Sequence, residues 1–358
     1  GALVASPGRI RSVECRPHDR VLRERADGAD GSDGVKLAGR LMVANQFSNS
    51  ATVVDLATGA SVELDAGDGP HEAAASPDGK WGVVSNFGER DGRGYSGNRL
   101  FVVDLAGARL VEVINTGEYR GLHDIAFRPG YPTRALVTAQ TSRRLLEVDV
   151  ETGRIVGTVD TRGDRSHMLA VTRDGLWAFT TNEGTGTISR LHLPTHRFIA
   201  AFPASENVEG IAVTDDGREL WVGEPAIGAV TVRNAESGAV LATLSGFRYP
   251  VRIVAAPGGR MIISDPGCRT IVTADAATRR VVSAMKVDDD PPVVAGDVAP
   301  DGRIAFLSAS DQGAVLAVDL DAGTIVGRYR AGRHPDGIAW APPSLAPQPR
   351  NPHIRPSP

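Results

Sequence analysis

One turn recurs along this chain at a nearly constant interval. It reads Pro77-Asp78-Gly79, Arg173-Asp174-Gly175, Asp215-Asp216-Gly217, Pro257-Gly258-Gly259 and Pro300-Asp301-Gly302. A degenerate copy is Pro129-Gly130, and Pro342 opens a truncated one. The starts at 77, 129, 173, 215, 257, 300 and 342 are separated by 52, 44, 42, 42, 43 and 42 residues. Such a period marks a repeat architecture, in which copies of one unit bury one another.

Each turn is followed by a short apolar, β-prone run, as in Trp81 to Asn86, Trp177 to Asn182 and Met261 to Asp265. A second run follows, often ending in an acidic residue and a Thr-Gly or similar turn, as in Val53 to Gly59 and Leu145 to Gly153. A third run, such as Val240 to Leu244, and a fourth, such as Ile211 to Val213, complete the unit. Four such strands split by Gly and Asp turns make an antiparallel meander. One meander cannot bury both its faces. Seven arranged radially can, so the expected fold is an all-β, seven-bladed β-propeller of four-stranded antiparallel blades. The first copy starts at Leu41 to Asn45 and lacks an inner strand. Gly337 to Trp340 supplies it, so one blade is stitched from both chain ends and no edge stays open. The propeller is expected over 40–342, between an N-terminal arm (1–39) and a Pro-rich tail (343–358).

Runs such as Leu41-Met42-Val43-Ala44-Asn45, Val53-Val54-Asp55-Leu56-Ala57-Thr58-Gly59 and Ala75-Ser76-Pro77-Asp78-Gly79 resemble the YVTN-repeat β-propeller family. The resemblance covers about residues 40–342 and implies the fold more than a function. Similar propellers include surface proteins, binding proteins and lactonase-like or lyase-like enzymes. No known lactonase or lyase catalytic set can be placed on this chain residue by residue.

The 41 glycines and 23 prolines suit many tight turns. The formal net charge of −4 gives nothing to draw nucleic acid or an anionic membrane. No apolar run is long enough to span a membrane. A monomer is expected. Gly1 suggests that the natural start lies upstream, and YVTN-like propellers are often exported, so the lean is to a secreted or surface protein. Cys15 and Cys268 have no metal-site spacing; one disulfide or two buried thiols remain open. The segment Asp27 to Gly34 lacks the closing Glu of a calcium loop and reads as a linker.

Counting back six residues from each turn aligns the starts of the inner strands. The equivalents are His71, His123, His167, Glu209, Val251, Val294 and Asp336. Topology puts them on one face, at the mouth of the central channel. Three imidazoles and a carboxylate from consecutive blades form a candidate site for a divalent or transition metal, with Zn, Cu, Fe and Mg not distinguished. His71, His123, His167 and Glu209 are the expected ligands. Glu209, Glu72, Asp124 and Arg252 are the candidate catalytic residues: Glu209 as general base, Glu72 and Asp124 as carboxylates orienting the imidazoles, Arg252 as holder of an anionic group. A blander reading has the three histidines hydrogen-bonding backbone between blades. Asn45, Asn86, Gln140, Asn182, Glu183, Glu224, Tyr249 and His334 fill out a polar rim.

The first repeat is about ten residues too long, and the excess lies in Phe87 to Asn98 on the same face. Its four glycines suggest mobility, and Arg90, Arg93 and Tyr95 are placed to close on a ligand. A tolerated surface insertion is the alternative. His192 and His196 lie away from the axis and read as surface residues. The four tryptophans read as core. The function expected is small-molecule chemistry of the lactonase or lyase kind, with the alternative of a non-catalytic binding scaffold. An enzyme requires imidazoles gathered near one point under the long loop; a scaffold requires splayed imidazoles and a broad exposed rim.

Overall fold

The structure is a computed structural model and describes residues 15–24, 37–287 and 294–343. Seven antiparallel sheets follow one another in chain order around a central axis. Blade 1 takes Pro335–Ala341 as its inner strand and continues through Arg40–Asn45, Ser50–Asp55 and Ser61–Asp65. The closure is antiparallel, pairing Arg40 with Ala341 and Val43 with Ile338. The inner strands of blades 2 to 7 are Pro70–Ala75, Leu122–Phe127, Ser166–Val171, Ile211–Val213, Arg252–Ala256 and Val294–Val298. The expected seven-bladed architecture and its two-ended blade are thus both present.

The recurrent turn has a local cause. In Ser76 to Lys80 the Asp78 carboxylate accepts hydrogen bonds from the Ser76 hydroxyl at 2.6 Å and the Lys80 N–H at 3.1 Å. Thr172 with Asp174, and Thr214 with Asp216, repeat the arrangement at 2.5 and 2.7 Å. Gly79 sits at φ 71°, and a Cβ there would meet the Pro342 carbonyl oxygen at 2.3 Å, so only glycine fits where blades 1 and 2 meet.

The apolar faces pack blade on blade. Trp221, fully buried in blade 5, belongs to one cluster with Ile263 and Val272 of blade 6. Leu136 of blade 3 packs with Ala178 and Leu191 of blade 4. Trp221 is therefore core as expected, while Trp81, Trp177 and Trp340 are only partly buried.

The first described residues form a strap on the outer rim. Arg20–Val21 pairs in parallel with the outer strand of blade 6, and Arg23–Glu24 with that of blade 7. Cys15 and Cys268 are joined in a disulfide that ties the strap to blade 6. Of the two cysteine readings, the disulfide is the one realised. The Asp- and Gly-rich segment 27–34 and the tail beyond 343 lie outside the described residues. No helix among the described residues is long and apolar enough to cross a membrane.

One irregularity positions the site. In blades 2, 3 and 4 the inner strand carries a bulge where it begins. Pro70 pairs with Asn86 but the next pair is Ala73 with Val84, leaving His71 and Glu72 as the bulged pair. The same shift isolates His123 and Asp124, then His167 and Met168. A bulge re-aims side chains that regular pleating would send to opposite faces. Two residues upstream of each site position the backbone is left-handed: Gly69, Gly121, Arg165, Asn207 and His334 have φ of 60°, 66°, 55°, 53° and 55°. Arg165 and His334 hold this conformation without being glycine, at a cost of about 1–2 kcal/mol.

Candidate functional site

The bulged strands build two storeys around the channel. In the upper storey the imidazoles of His71, His123 and His167 stand in a row, with ring centroids 4.4 and 3.8 Å apart. His123, in the middle, is 1% exposed, and neither of its ring nitrogens has a hydrogen-bond partner. Its burial pulls its pKa well below the usual range, and the neighbouring His167 and His71 add to the effect. Neither ring nitrogen has a hydrogen bond of full geometry among the described residues, though the His167 backbone lies close enough to oppose part of the fall in its pKa.

Its two neighbours are different. Burial also depresses His71, but the charges of Asp336 and Glu72 more than offset it, so its pKa is raised. Its Nδ1 lies 3.3 Å from Asp336 and 3.6 Å from Glu72. His167 is likewise pulled down by burial and raised overall by Glu209 and Glu183, which lie 3.1 and 3.3 Å from its Nε2. Gln140 Nε2 stands 3.3 Å from its Nδ1. The Tyr249 hydroxyl donates to Glu209 at 3.0 Å. Burial, and the charge of Glu209, raise the Glu183 pKa.

The blander reading, with imidazoles bonded to inter-blade backbone, describes other atoms of the same residues. The His123 carbonyl accepts from Ser85 Oγ at 2.6 Å and the His167 carbonyl from Thr138 Oγ1 at 2.8 Å. The backbone thus joins the blades, and the His123 ring also approaches the His167 backbone of the next blade, without a hydrogen bond of full geometry.

The lower storey is fully paired. Arg252 of blade 6 crosses the channel to Glu72 of blade 2 and binds both its carboxylate oxygens, Nη1 to Oε2 at 2.9 Å. Burial would raise Glu72, but Arg252 prevails and holds its pKa at about 2. Asp124 accepts the backbone N–H of Ile125 at 2.8 Å and, across the blade boundary, that of Leu169 at 2.7 Å. Asp297 does the same between blades 7 and 1, accepting Val298 and Trp340 N–H groups at 2.7 Å each. Burial raises Asp124 to about 7, helped by the charge of Glu72, and Asp297 to about 6. A second cavity of about 340 Å³ opens below this layer and includes these four side chains in its lining.

The upper storey faces a cavity of about 730 Å³. The long insertion roofs it. The insertion contains a small ribbon, Arg90–Asp91 paired with Gly94–Tyr95. Tyr95 stacks on Phe87 at 3.6 Å, and Phe87 sets its edge against His71 at 5.0 Å and His123 at 4.9 Å. The Thr141 hydroxyl of the next blade donates to the Tyr95 carbonyl at 2.9 Å.

The four expected metal ligands fall into two groups. His71, Glu72 and His123 offer ligand atoms within 4.8 Å of one another, and so do His167, Glu183 and Glu209. His123 and His167, in ring contact, link the groups. Glu183 was visible in the sequence as a rim residue, not as a ligand. Phe87 and Asp297 were not anticipated. Asp297 escaped the count because the blade 7 bulge falls at Gly296, where a Cβ would meet Ile338 Cβ at 2.4 Å. His192 and His196 lie off the axis, as expected; His196 Nε2 binds Glu147 at 2.7 Å.

The fold and this channel-mouth site define a seven-bladed propeller with a His- and Glu-lined pocket. No known family profile matches the chain, so the YVTN-repeat resemblance rests on the motifs quoted above. No curated protein matches it either. Among solved structures, a chain of Kuenenia stuttgartiensis hydrazine synthase is similar, with a TM-score of 0.65 at 17% identity, over 86% of this chain and 99% of that one. That likeness is one of fold.

Proposed function

We propose that this protein is a small-molecule enzyme whose site is the roofed mouth of the propeller channel, and that the site holds a divalent metal ion. The carrying observation is His123: a buried imidazole, disfavoured as a cation and without a hydrogen bond of full geometry at either nitrogen among the described residues, in ring contact with a His–Glu–Glu group. A buried polar atom without a partner costs about 1–3 kcal/mol, and a ligand that takes the lone pair of one imidazole nitrogen removes that nitrogen's share. His167, Glu183 and Glu209, with His123 beside them, are the residues that would hold the ion. Two carboxylates and two imidazoles suit Zn, Fe or Cu. The other group is the poorer candidate, because its one carboxylate, Glu72, has both oxygens bound to Arg252, whereas Arg165 reaches only one oxygen of Glu183, at 3.2 Å, and leaves the other facing His167. When bound, a divalent ion supplies Lewis acidity toward a carbonyl or a water.

The chain's own groups supply proton handling. His71, held above its ordinary pKa by Asp336 and Glu72, is the proton donor of the row. Tyr249 fixes one Glu209 oxygen, leaving the carboxylate oriented toward His167. The Phe87–Tyr95 stack shields the imidazoles from water. Hydrolysis or elimination of the lactonase or lyase kind fits this set. Gathered rings and a roofed pocket favour this reading over a scaffold with splayed imidazoles. The Cys15–Cys268 disulfide supports an exported protein. The test is turnover of a panel of lactones and esters with added Zn, Fe or Mg ions. The reading expects metal-dependent turnover that His123→Leu abolishes. Turnover that survives both a chelator and His123→Leu contradicts it.

A further inference from the structure

Charged groups of both signs line the upper cavity, and they are not equally engaged. The carboxylates all have partners. Asp164 binds Arg143 at 3.1 Å, Glu183 binds Arg165 at 3.2 Å, and Glu209 binds Tyr249 and His167. Asp91 accepts the Arg93 backbone N–H at 2.7 Å and lies 3.8 Å from Arg120. The guanidinium groups of Arg90 and Arg93, on the ribbon that roofs the cavity, have no hydrogen bond or ion pair among the described residues. The roof therefore presents two unpaired positive charges over a pocket whose negative charges are already spoken for.

The ribbon fixes their backbone, and both side chains are solvent-exposed. Its two strands pair Arg90 with Tyr95 and Asp91 with Gly94. It is seated on blade 3 through Thr141, whose Oγ1 would lie 2.8 Å from a Cβ at Gly94, so the backbone approaches as closely as glycine allows. Arg252, offered by the sequence as the holder of an anion, is instead bound at both ends of the Glu72 carboxylate beneath the imidazoles.

We propose that the site takes a small anionic molecule bearing a carboxylate or phosphate group, gripped by Arg90 and Arg93 of the roof while its other end meets the imidazole row. This rests on reading the cavity as a small-molecule site, but not on the metal. A guanidinium fork matches the paired oxygens of either anion, and its hydrogen bonds to a charged acceptor are the strong ones. The Phe87–Tyr95 stack at the base of the ribbon seats it against His71 and His123, so the arginines and the imidazoles border one pocket.

The experiment is isothermal titration of the full chain with succinate, with inorganic phosphate, and with succinamide as the uncharged counterpart of succinate. Each titration is run on chelator-treated and on zinc-loaded protein. The expected result is binding of succinate or phosphate, with succinamide at least about tenfold weaker. The tighter anion identifies the group. Arg90→Gln/Arg93→Gln should weaken the anion by about tenfold or more without moving the melting temperature. Succinamide binding as tightly as succinate, anion binding unchanged in the double variant, or no binding of either anion overturns the proposal. A protein that binds no metal yet grips the anion through Arg90 and Arg93 retains this proposal and sinks the metal. One that binds zinc but neither anion does the reverse.

Discussion

The two storeys of the channel are built from neighbouring residues on the same strands, yet they are wired in opposite ways. Glu72 and Asp124 lie next in sequence to His71 and His123, and each is saturated with partners from another blade. His123 has none at its ring. A bulge sets both members of each pair opposite a single residue of the neighbouring strand, and only the carboxylate of each pair is taken up by another blade. The lower storey spends its polar groups on joining blade 2 to 6, 3 to 4 and 7 to 1. The upper storey pairs its polar groups within the pocket, Glu209 with Tyr249 and His167 and Glu183 with Arg165, and leaves the His123 ring without a hydrogen bond of full geometry. A buried polar group that the fold does not satisfy, set in a cavity among titratable side chains, is a candidate for chemistry.

The comparison can be broken first at Arg252. Arg252→Met leaves the buried Glu72 carboxylate with only His71, 3.6 Å away, beside it, and should cost about 3–5 kcal/mol in chemical denaturation. Glu72→Leu added to it removes the stranded charge and should recover most of that loss. If Arg252→Met alone is harmless, the lower storey is not the structural layer described here.

The inter-blade clasps come next. Asp297→Ala strips acceptors from the Trp340 and Val298 N–H groups and should cost about 1–3 kcal/mol. Asp297 also carries a pH signature. Its folded pKa, about 6, stands above the unfolded value near 3.8, so folding favours its protonated form. Its contribution is therefore most favourable below pH 4 and is lost as pH rises from 4 through 6, by at most about 3 kcal/mol. Asp124 acts in the same direction up to about 7. Asp297→Asn should flatten the Asp297 part of this slope. An unchanged slope between pH 4.5 and 7 would show that Asp297 does not titrate as described.

The smallest effect on stability is expected in the upper storey. His123→Leu exchanges an unbonded ring for an apolar side chain of similar bulk, and should move chelator-treated protein by less than about 1.5 kcal/mol. A loss like that of Arg252→Met would mean that His123 is a structural residue, and the two storeys would not differ.

Much of the fold was legible because the repeat is written in turn residues whose geometry is local. Asp78, Asp174 and Asp216 each cap their own backbone, so the period survives while the strands between them drift. The row His71, His123, His167 and Glu209 was legible from the same count. The grouping was not. Whether an imidazole meets Glu183, Glu209 or nothing depends on a bulge and on distances between blades, and neither leaves a mark in one sequence. Arg252 could be placed on the channel but not matched with Glu72, 180 residues away and on a distant blade. Phe87 lay in an insertion whose glycines suggested mobility. A stacked aromatic pair at its base fixes that insertion to the site instead.

The metal proposed above belongs to the upper storey and not to the lower one. Elemental mass spectrometry of untagged protein, purified without chelator, tests it most directly, with His123→Leu and Asp297→Asn as the paired controls. Near-stoichiometric metal in the wild type and in Asp297→Asn, lost in His123→Leu, is the result predicted. A wild-type protein that carries no metal and takes up none on incubation with Zn, Fe or Cu would contradict it.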